Sequence, residues 1–203
     1  MSYYYDKETN VTSKEVNIFA EIDNISFTFV TDNNVFSKRG LDFGTRTLLE
    51  SINDIKGDIL DFGCGYGPIG IYLKKKYDVN VDMVDINNRA INLTKKNALL
   101  NKVDVNVFES NLYENIYKKY DYIITNPPIR VGKKILYEIL IGAKDYLKDD
   151  GHLIFVINKD QGAKSTFKDM NECYKAEIIK KNKGFYVIDC RISWHIEVSL
   201  LKL

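Results

Sequence analysis

From residue 58 onward, short apolar runs alternate with longer stretches of helical period, the arrangement expected of a parallel sheet with helices on both faces. The runs that predict strands are residues 58–62, 79–84, 103–108, 120–125 and 153–157. Residues 68–76, 87–100, 133–147 and 161–173 predict helices. Right-handed crossovers wind such a chain into a doubly wound α/β sheet whose ligand crevice lies at the carboxyl ends of the strands. After Cys173 the pattern changes, and residues 176–181 and 185–192 predict an antiparallel hairpin turning at Asn182, Lys183 and Gly184. Upstream, Ile25, Phe27 and Phe29 alternate with Ser26 and Thr28 as in a half-buried strand, expected to lie beside the main sheet. Asp32, Asn33 and Asn34 supply turn chemistry, and residues 44–52 predict a short helix. Residues 193–203 have no period that assigns an element.

With no Ser/Gly/Pro-rich linker and no internal repeat, the 203 residues predict one domain. It divides into an extension (1–57), a core (58–192) and a tail (193–203). No apolar run approaches the roughly 20 residues that span a bilayer, and MSYYYDKETN lacks the basic and apolar regions of an export signal. Cys64, Cys173 and Cys190 are too scattered for a zinc cluster or a disulfide framework, so no metal and a reducing cytoplasm are expected. A net charge of +1 excludes the field of a nucleic-acid coat protein and confines any such binding to local clusters such as Arg130, Lys133 and Lys134.

The chemistry concentrates in two places. Ile59-Leu60-Asp61-Phe62-Gly63-Cys64-Gly65-Tyr66-Gly67-Pro68 is a buried strand running into a glycine-dense turn, with proline suited to the first turn of a helix. Gly65, Gly67 and Gly70 match a dinucleotide fingerprint, but the first does not follow the strand directly. The register Asp61-x-Gly63-x-Gly65-x-Gly67 instead sets a carboxylate at the strand end, where it can face a ligand's amino group and would repel a pyrophosphate. Asp85, ending the second core strand, can accept hydrogen bonds from both hydroxyls of a ribose, or alternatively cap the helix that follows. Asn111, after the third strand, is placed to meet an adenine amino group. Asp61, Gly63, Cys64, Gly65, Gly67, Asp85, Ile86, Asn111, Leu112 and Asn126 form the expected cofactor set.

The second place is Asn126-Pro127-Pro128-Ile129, at the end of a strand. Consecutive prolines fix two φ angles and push the preceding residue into extended geometry. The Asn126 amide and the Pro127 carbonyl thereby become a stiff acceptor pair. An exocyclic base amine is a poor nucleophile because its lone pair is delocalised into the ring. Two acceptors on its hydrogens favour a pyramidal nitrogen whose lone pair can attack, and preorganised dipoles need not reorient to do so.

Residues 61–67 resemble the first motif of class I S-adenosylmethionine methyltransferases, and residues 126–129 resemble the motif of those that methylate exocyclic or amide nitrogens. Phe29-Val30-Thr31-Asp32, Val35-Phe36-Ser37-Lys38 and Leu41-Asp42-Phe43-Gly44-Thr45 resemble the segment before the core in RsmC-like small-subunit ribosomal RNA guanine-N2 methyltransferases. The resemblance covers roughly residues 25 to 192. It implies a seven-stranded Rossmann-like sheet and methyl transfer from S-adenosylmethionine to a guanine amino group of 16S ribosomal RNA. It implies cofactor roles for Asp61, Gly63, Gly65 and Asp85, and chemistry at Asn126 with Pro127. Where many amino-methyltransferases carry an aromatic residue after the two prolines, this chain has Ile129, so base stacking is weaker or comes from elsewhere, with Phe36 and Phe43 as the candidates. Pro128, Ile129, Arg130, Lys133 and Lys134 complete the expected substrate side, with the RNA or the small ribosomal subunit as partner. Adenine-N6 or protein glutamine methylation, a nicotinamide-dependent oxidoreductase and a noncatalytic RNA-binding module are the alternatives.

Overall fold

The structure, a computed structural model, describes residues 15–32, 40–128 and 132–192. Phe36, Ile129, Arg130, the turn residues Asn33 and Asn34, and the tail lie outside the described residues.

Core strands β3 (Asp58–Phe62), β4 (Asn80–Asp85), β5 (Asn106–Glu109), β6 (Tyr120–Thr125) and β7 (Leu147–Asn158) run parallel, and β8 (Lys175–Asn182) and β9 (Phe185–Arg191) form the terminal hairpin. They build one seven-stranded sheet in the order β5-β4-β3-β6-β7-β9-β8, in which β9 is antiparallel to both neighbours. Helices α2 (Pro68–Tyr77), α3 (Asn88–Leu100), α4 (Gly132–Gly142) and α5 (Ala163–Met170) connect the strands, and α1 (Phe43–Leu49) precedes the core. The fold is the doubly wound, Rossmann-like sheet that the pattern predicts. Central strands are buried on both faces, which is why they read as unbroken apolar runs. Along β3, Ile59 belongs to one core and Leu60 to the other, because successive side chains leave opposite faces.

Several boundaries move for local reasons. Strand β5 begins at Asn106 because Val103 closes the end of α3, its N–H donating to the Ala98 carbonyl at 3.1 Å with Lys102 at φ 56°. The helix expected over 133–147 ends at Gly142 and tightens into a 3₁₀ turn, Ala143–Tyr146. Strand β7 begins early, at Leu147, and the register with β6 shifts between Tyr120 and Tyr122.

Strand β2 (Ile25–Asp32) does not lie beside the main sheet. It pairs with β1 (Glu15–Ile22) in a separate two-stranded sheet. Asp23 and Asn24 join them with φ of 49° and 60°, as a type I′ hairpin turn requires. The hairpin forms a third layer over α2 and α3, where Phe27 and Phe29 are buried and reach Tyr72 and Tyr66 at ring-centroid distances of 5.9 and 5.5 Å. Asn97 on α3 and Asn101, one turn on at its C-terminal cap, act as a substitute strand edge. Asn97 accepts from Val30 N–H at 2.7 Å and donates to its carbonyl at 2.8 Å; Asn101 does the same with Thr28 at 3.2 and 2.8 Å.

Candidate active site

The strand order reverses beside β3, whose neighbours β4 and β6 lead away in opposite directions, and this switch point opens a crevice at the carboxyl ends. The glycine loop between β3 and α2 borders it. Gly63 and Cys64 both donate their N–H to the Val84 carbonyl, at 2.9 and 2.8 Å, which ties the loop to the end of β4. Gly63 and Gly65 have φ of 72° and 60°, and a Cβ at either would meet nothing within 4 Å. Backbone freedom, not crowding, therefore requires glycine there, and the bare loop leaves room for a ligand against its backbone.

Asp61 is fully buried behind the loop. Its Oδ2 accepts the Gly70 N–H at 2.8 Å, whereas Oδ1 has no hydrogen-bond partner among the described residues. Burial pushes its carboxyl up to about 7; the Gly70 bond opposes the shift and the nearby Asp85 adds to it. A ligand ammonium or a bridging water would complete the orphaned oxygen.

Asp85 holds the Gly65 N–H through Oδ2 and the Asn87 N–H through Oδ1, both at 2.9 Å. Burial raises its carboxyl, opposed by these backbone bonds. The side-chain cap of α3 is Asn87, which accepts from Arg89 N–H at 2.9 Å, so Asp85 does not serve as that cap. Ile86 follows Asp85 half-buried, and the Asp85 carbonyl accepts the Ser110 N–H at 3.0 Å, which brings the loop after β5 alongside. There Asn111 donates to Glu114 at 2.8 Å and Leu112 has φ 49°. The structure thus brings the expected cofactor residues to one rim. Cys64 belongs to it through its backbone: its sulfur is buried, 3.6 Å from Thr94 Oγ1, and burial together with Asp85 and Asp61 pushes the thiol up, the opposite of a reactive thiolate.

Asn126 stands half-buried at the end of β6, across from the glycine loop. Thr125 just before it donates to the Phe62 carbonyl at 2.7 Å and locks the ends of β6 and β3 together. Asn126 Nδ2 donates to Thr45 Oγ1 at 2.9 Å and lies 3.3 Å from Asp42 Oδ1; Asn126 Oδ1 has no partner among the described residues. Pro127 is buried and Pro128 half-buried. Lys133 and Lys134, at the start of α4, are exposed and pair with Asp169 at 3.5 Å and Glu138 at 3.9 Å.

Four supporting residues escape a pattern-based reading. Thr94 donates to the Gly65 carbonyl at 2.9 Å and Asn97 to the Tyr66 carbonyl at 2.7 Å, so α3 grips the glycine loop from behind. In sequence they are polar positions on a helix whose apolar period is otherwise clear. Asp42 and Thr45 reach Asn126 from more than eighty residues away. The family-like segment Leu41-Asp42-Phe43-Gly44-Thr45 and a cap signal, Asp three residues before Thr45, marked the stretch but not its contact with Asn126.

The fold, the glycine loop with its two carboxylates and the Asn-Pro-Pro corner define the class: an S-adenosylmethionine-dependent methyltransferase. The profile described as "Methyltransferase small domain" matches residues 26–189, and the chain belongs to that family. A Bacillus subtilis relative, "Uncharacterized protein YbxB", is 38% identical over 93% of this chain and 98% of its own length. The "Ribosomal RNA small subunit methyltransferase C" of Psychromonas ingrahamii is 40% identical over 62% of this chain, which spans only 38% of that relative. Among solved structures, the T. Thermophilus 16S rRNA N2 G1207 methyltransferase (RsmC), in complex with AdoMet and guanosine, superposes with a TM-score of 0.76 at 21% identity. That match covers 91% of this chain and 52% of the other.

Proposed function

We propose that this protein transfers a methyl group from S-adenosylmethionine to an exocyclic amino nitrogen, guanine N2 of small-subunit ribosomal RNA, in the cytoplasm. The observation that carries it is Asn126 at the crevice mouth, whose Oδ1 has no partner among the described residues and stands as an acceptor beside two prolines. The names of the small-subunit relatives support ribosomal RNA as the target, and that of the RsmC structure supports guanine N2.

When bound, S-adenosylmethionine supplies a methyl group already activated by a positively charged sulfur. The protein's part is to bind and position. With the cofactor bound, Asp85 would hold the ribose hydroxyls, Asp61 the amino acid end and Asn111 the adenine, with Gly63, Gly65 and Gly67 admitting the ligand against backbone. Asn126 Oδ1 and the Pro127 carbonyl accept the two hydrogens of the target amine, which frees its lone pair for in-line attack. The proton is lost after the nitrogen becomes cationic and acidic, so no strong base is called for. Phe43 already packs on Phe185 at 5.7 Å and under Lys183 at 5.2 Å, which leaves base stacking to Phe36. Arg130, Lys133 and Lys134 take RNA phosphates, and the weak exposed ion pairs of the two lysines are readily exchanged for phosphate.

The test is tritium transfer from labelled S-adenosylmethionine into 16S RNA and small subunits from cells lacking this protein, followed by mass spectrometry of the nucleosides. N2-methylguanosine is expected. Label in N6-methyladenosine, or only in protein glutamine, overturns the guanine assignment. Asn126→Ala should lower single-turnover methyl transfer by about 100-fold or more while homocysteine-adduct binding and thermal stability change little.

A further inference from the structure

We propose that Thr45 and Asp42 are positioning residues for Asn126: they hold its carboxamide in one of two orientations, with Nδ2 toward α1 and Oδ1 toward the crevice. This inference rests on Asn126 accepting from the target amine. The two orientations of a carboxamide have nearly the same shape and opposite chemistry, since a half-turn exchanges an acceptor for two donors. In the wrong one, an NH₂ group would confront the N–H bonds of the amine and suppress attack.

The contact with Asp42 decides between them, because the Thr45 hydroxyl fixes the plane of the amide but can pair with either end of it, whereas a carboxylate pairs only with the NH₂ end. Asn126 Nδ2 lies 2.9 Å from Thr45 Oγ1 and 3.3 Å from Asp42 Oδ1, and that same Asp42 oxygen accepts the Thr45 N–H at 3.0 Å. An ionised carboxylate can only accept, so a flipped Asn126 would set its own oxygen against the oxygen of Asp42. Thr45 is 3% exposed, so water does not readily replace its hydroxyl as the Nδ2 partner.

The backbone around the pair is built for close approach. Asp42 caps α1, and Gly44 lies between them, where a Cβ would come within 2.9 Å of the Phe185 ring and 3.1 Å of Asp42 Oδ1. The first turn of α1 is thereby pressed against β9 and held beside the end of β6. The segment before the core sheet, outside the cofactor-binding half, thus completes the catalytic corner.

Thr45→Val keeps the shape and removes the acceptor, Thr45→Ser restores it, and Asp42→Ser keeps a capping oxygen too short to reach Asn126. In single turnover at saturating S-adenosylmethionine and RNA, Thr45→Val and Asp42→Ser should each slow methyl transfer about tenfold or more, with adduct affinity and melting temperature near the parent. Thr45→Ser should recover the rate to within about threefold. The Asn126 side-chain NH₂ resonances, assigned by their loss in Asn126→Ala, should shift and exchange faster with solvent in Thr45→Val. A parental rate in Thr45→Val beside an inactive Asn126→Ala overturns the proposal and leaves the role of Asn126 standing. Equal losses in Thr45→Val and Thr45→Ser, together with lowered melting temperatures, reduce Thr45 to helix packing and also overturn it. A fully active Asn126→Ala instead removes the reading on which it rests.

Discussion

A carboxyl group buried like Asp61, with one oxygen unanswered, is expensive to ionise, and this makes it a reporter of what binds beside it. Its folded value of about 7 lies above the ordinary carboxylate value of 3.8, so the folded protein keeps a proton there that the unfolded chain releases. Stability therefore falls as pH rises from about 4 to 7, and the penalty is complete above the folded value. Asp61→Asn should gain thermal stability relative to the parent as pH rises across that window; a constant difference would show that Asp61 is not raised. A bound ammonium would favour the carboxylate, so binding of S-adenosylhomocysteine near pH 6 should expel protons. Calorimetry in two buffers of different ionisation enthalpy detects this, and identical enthalpies would remove Asp61 from the amino acid subsite. Asp85→Ala should weaken adduct binding by about 1–3 kcal/mol through the lost ribose contacts and the freed Gly65 amide. The helix that follows should survive because Asn87 caps it.

Among the elements, α3 connects stability to the site. Asn97 is fully buried and bonds the N–H and carbonyl of Val30 and the carbonyl of Tyr66. Asn97→Ala removes these three buried hydrogen bonds, and the expected loss is about 3 kcal/mol or more, read from urea unfolding. Adduct affinity should fall with it because Tyr66 belongs to the glycine loop. Asn101→Ala, in a wetter position, should cost less and spare affinity. Sequence periodicity located α3 nearly to the residue, since its apolar positions face the sheet. It left the two asparagines unremarked, because a polar residue on the reverse of a helix normally faces water; here a third layer covers it.

For the whole molecule, a near-neutral charge would confine the proposed RNA capture to local cations. Lys133→Ala with Lys134→Ala, or Arg130→Ala, should raise the Michaelis constant for RNA and flatten its salt dependence without altering adduct affinity. An unchanged salt slope would assign these residues to a solvated helix face. Lys183, in the turn of the β8–β9 hairpin, and Lys159, whose N–H donates to the neighbouring Gly184 carbonyl at 2.7 Å, serve as the comparison pair in the same assay.

The chain's own periodicity determined the order of strands and helices, the doubly wound sheet and the terminal hairpin, because each central strand must be apolar on both faces and each glycine of the loop needs φ above zero. The glycine-rich and Asn-Pro-Pro motifs likewise located the candidate site residues, since Asp61, Asp85 and Asn126 stand at or beside strand ends. Tertiary structure alone decided their surroundings. The hairpin of β1 and β2 lies on helices instead of the sheet because Asn97 and Asn101 offer it a hydrogen-bonding edge. Cys64 turns its thiol into the core, and Asn126 meets Asp42 and Thr45 across more than eighty residues. Such contacts join side chains brought together by packing, and no local period encodes which distant polar atoms will face each other.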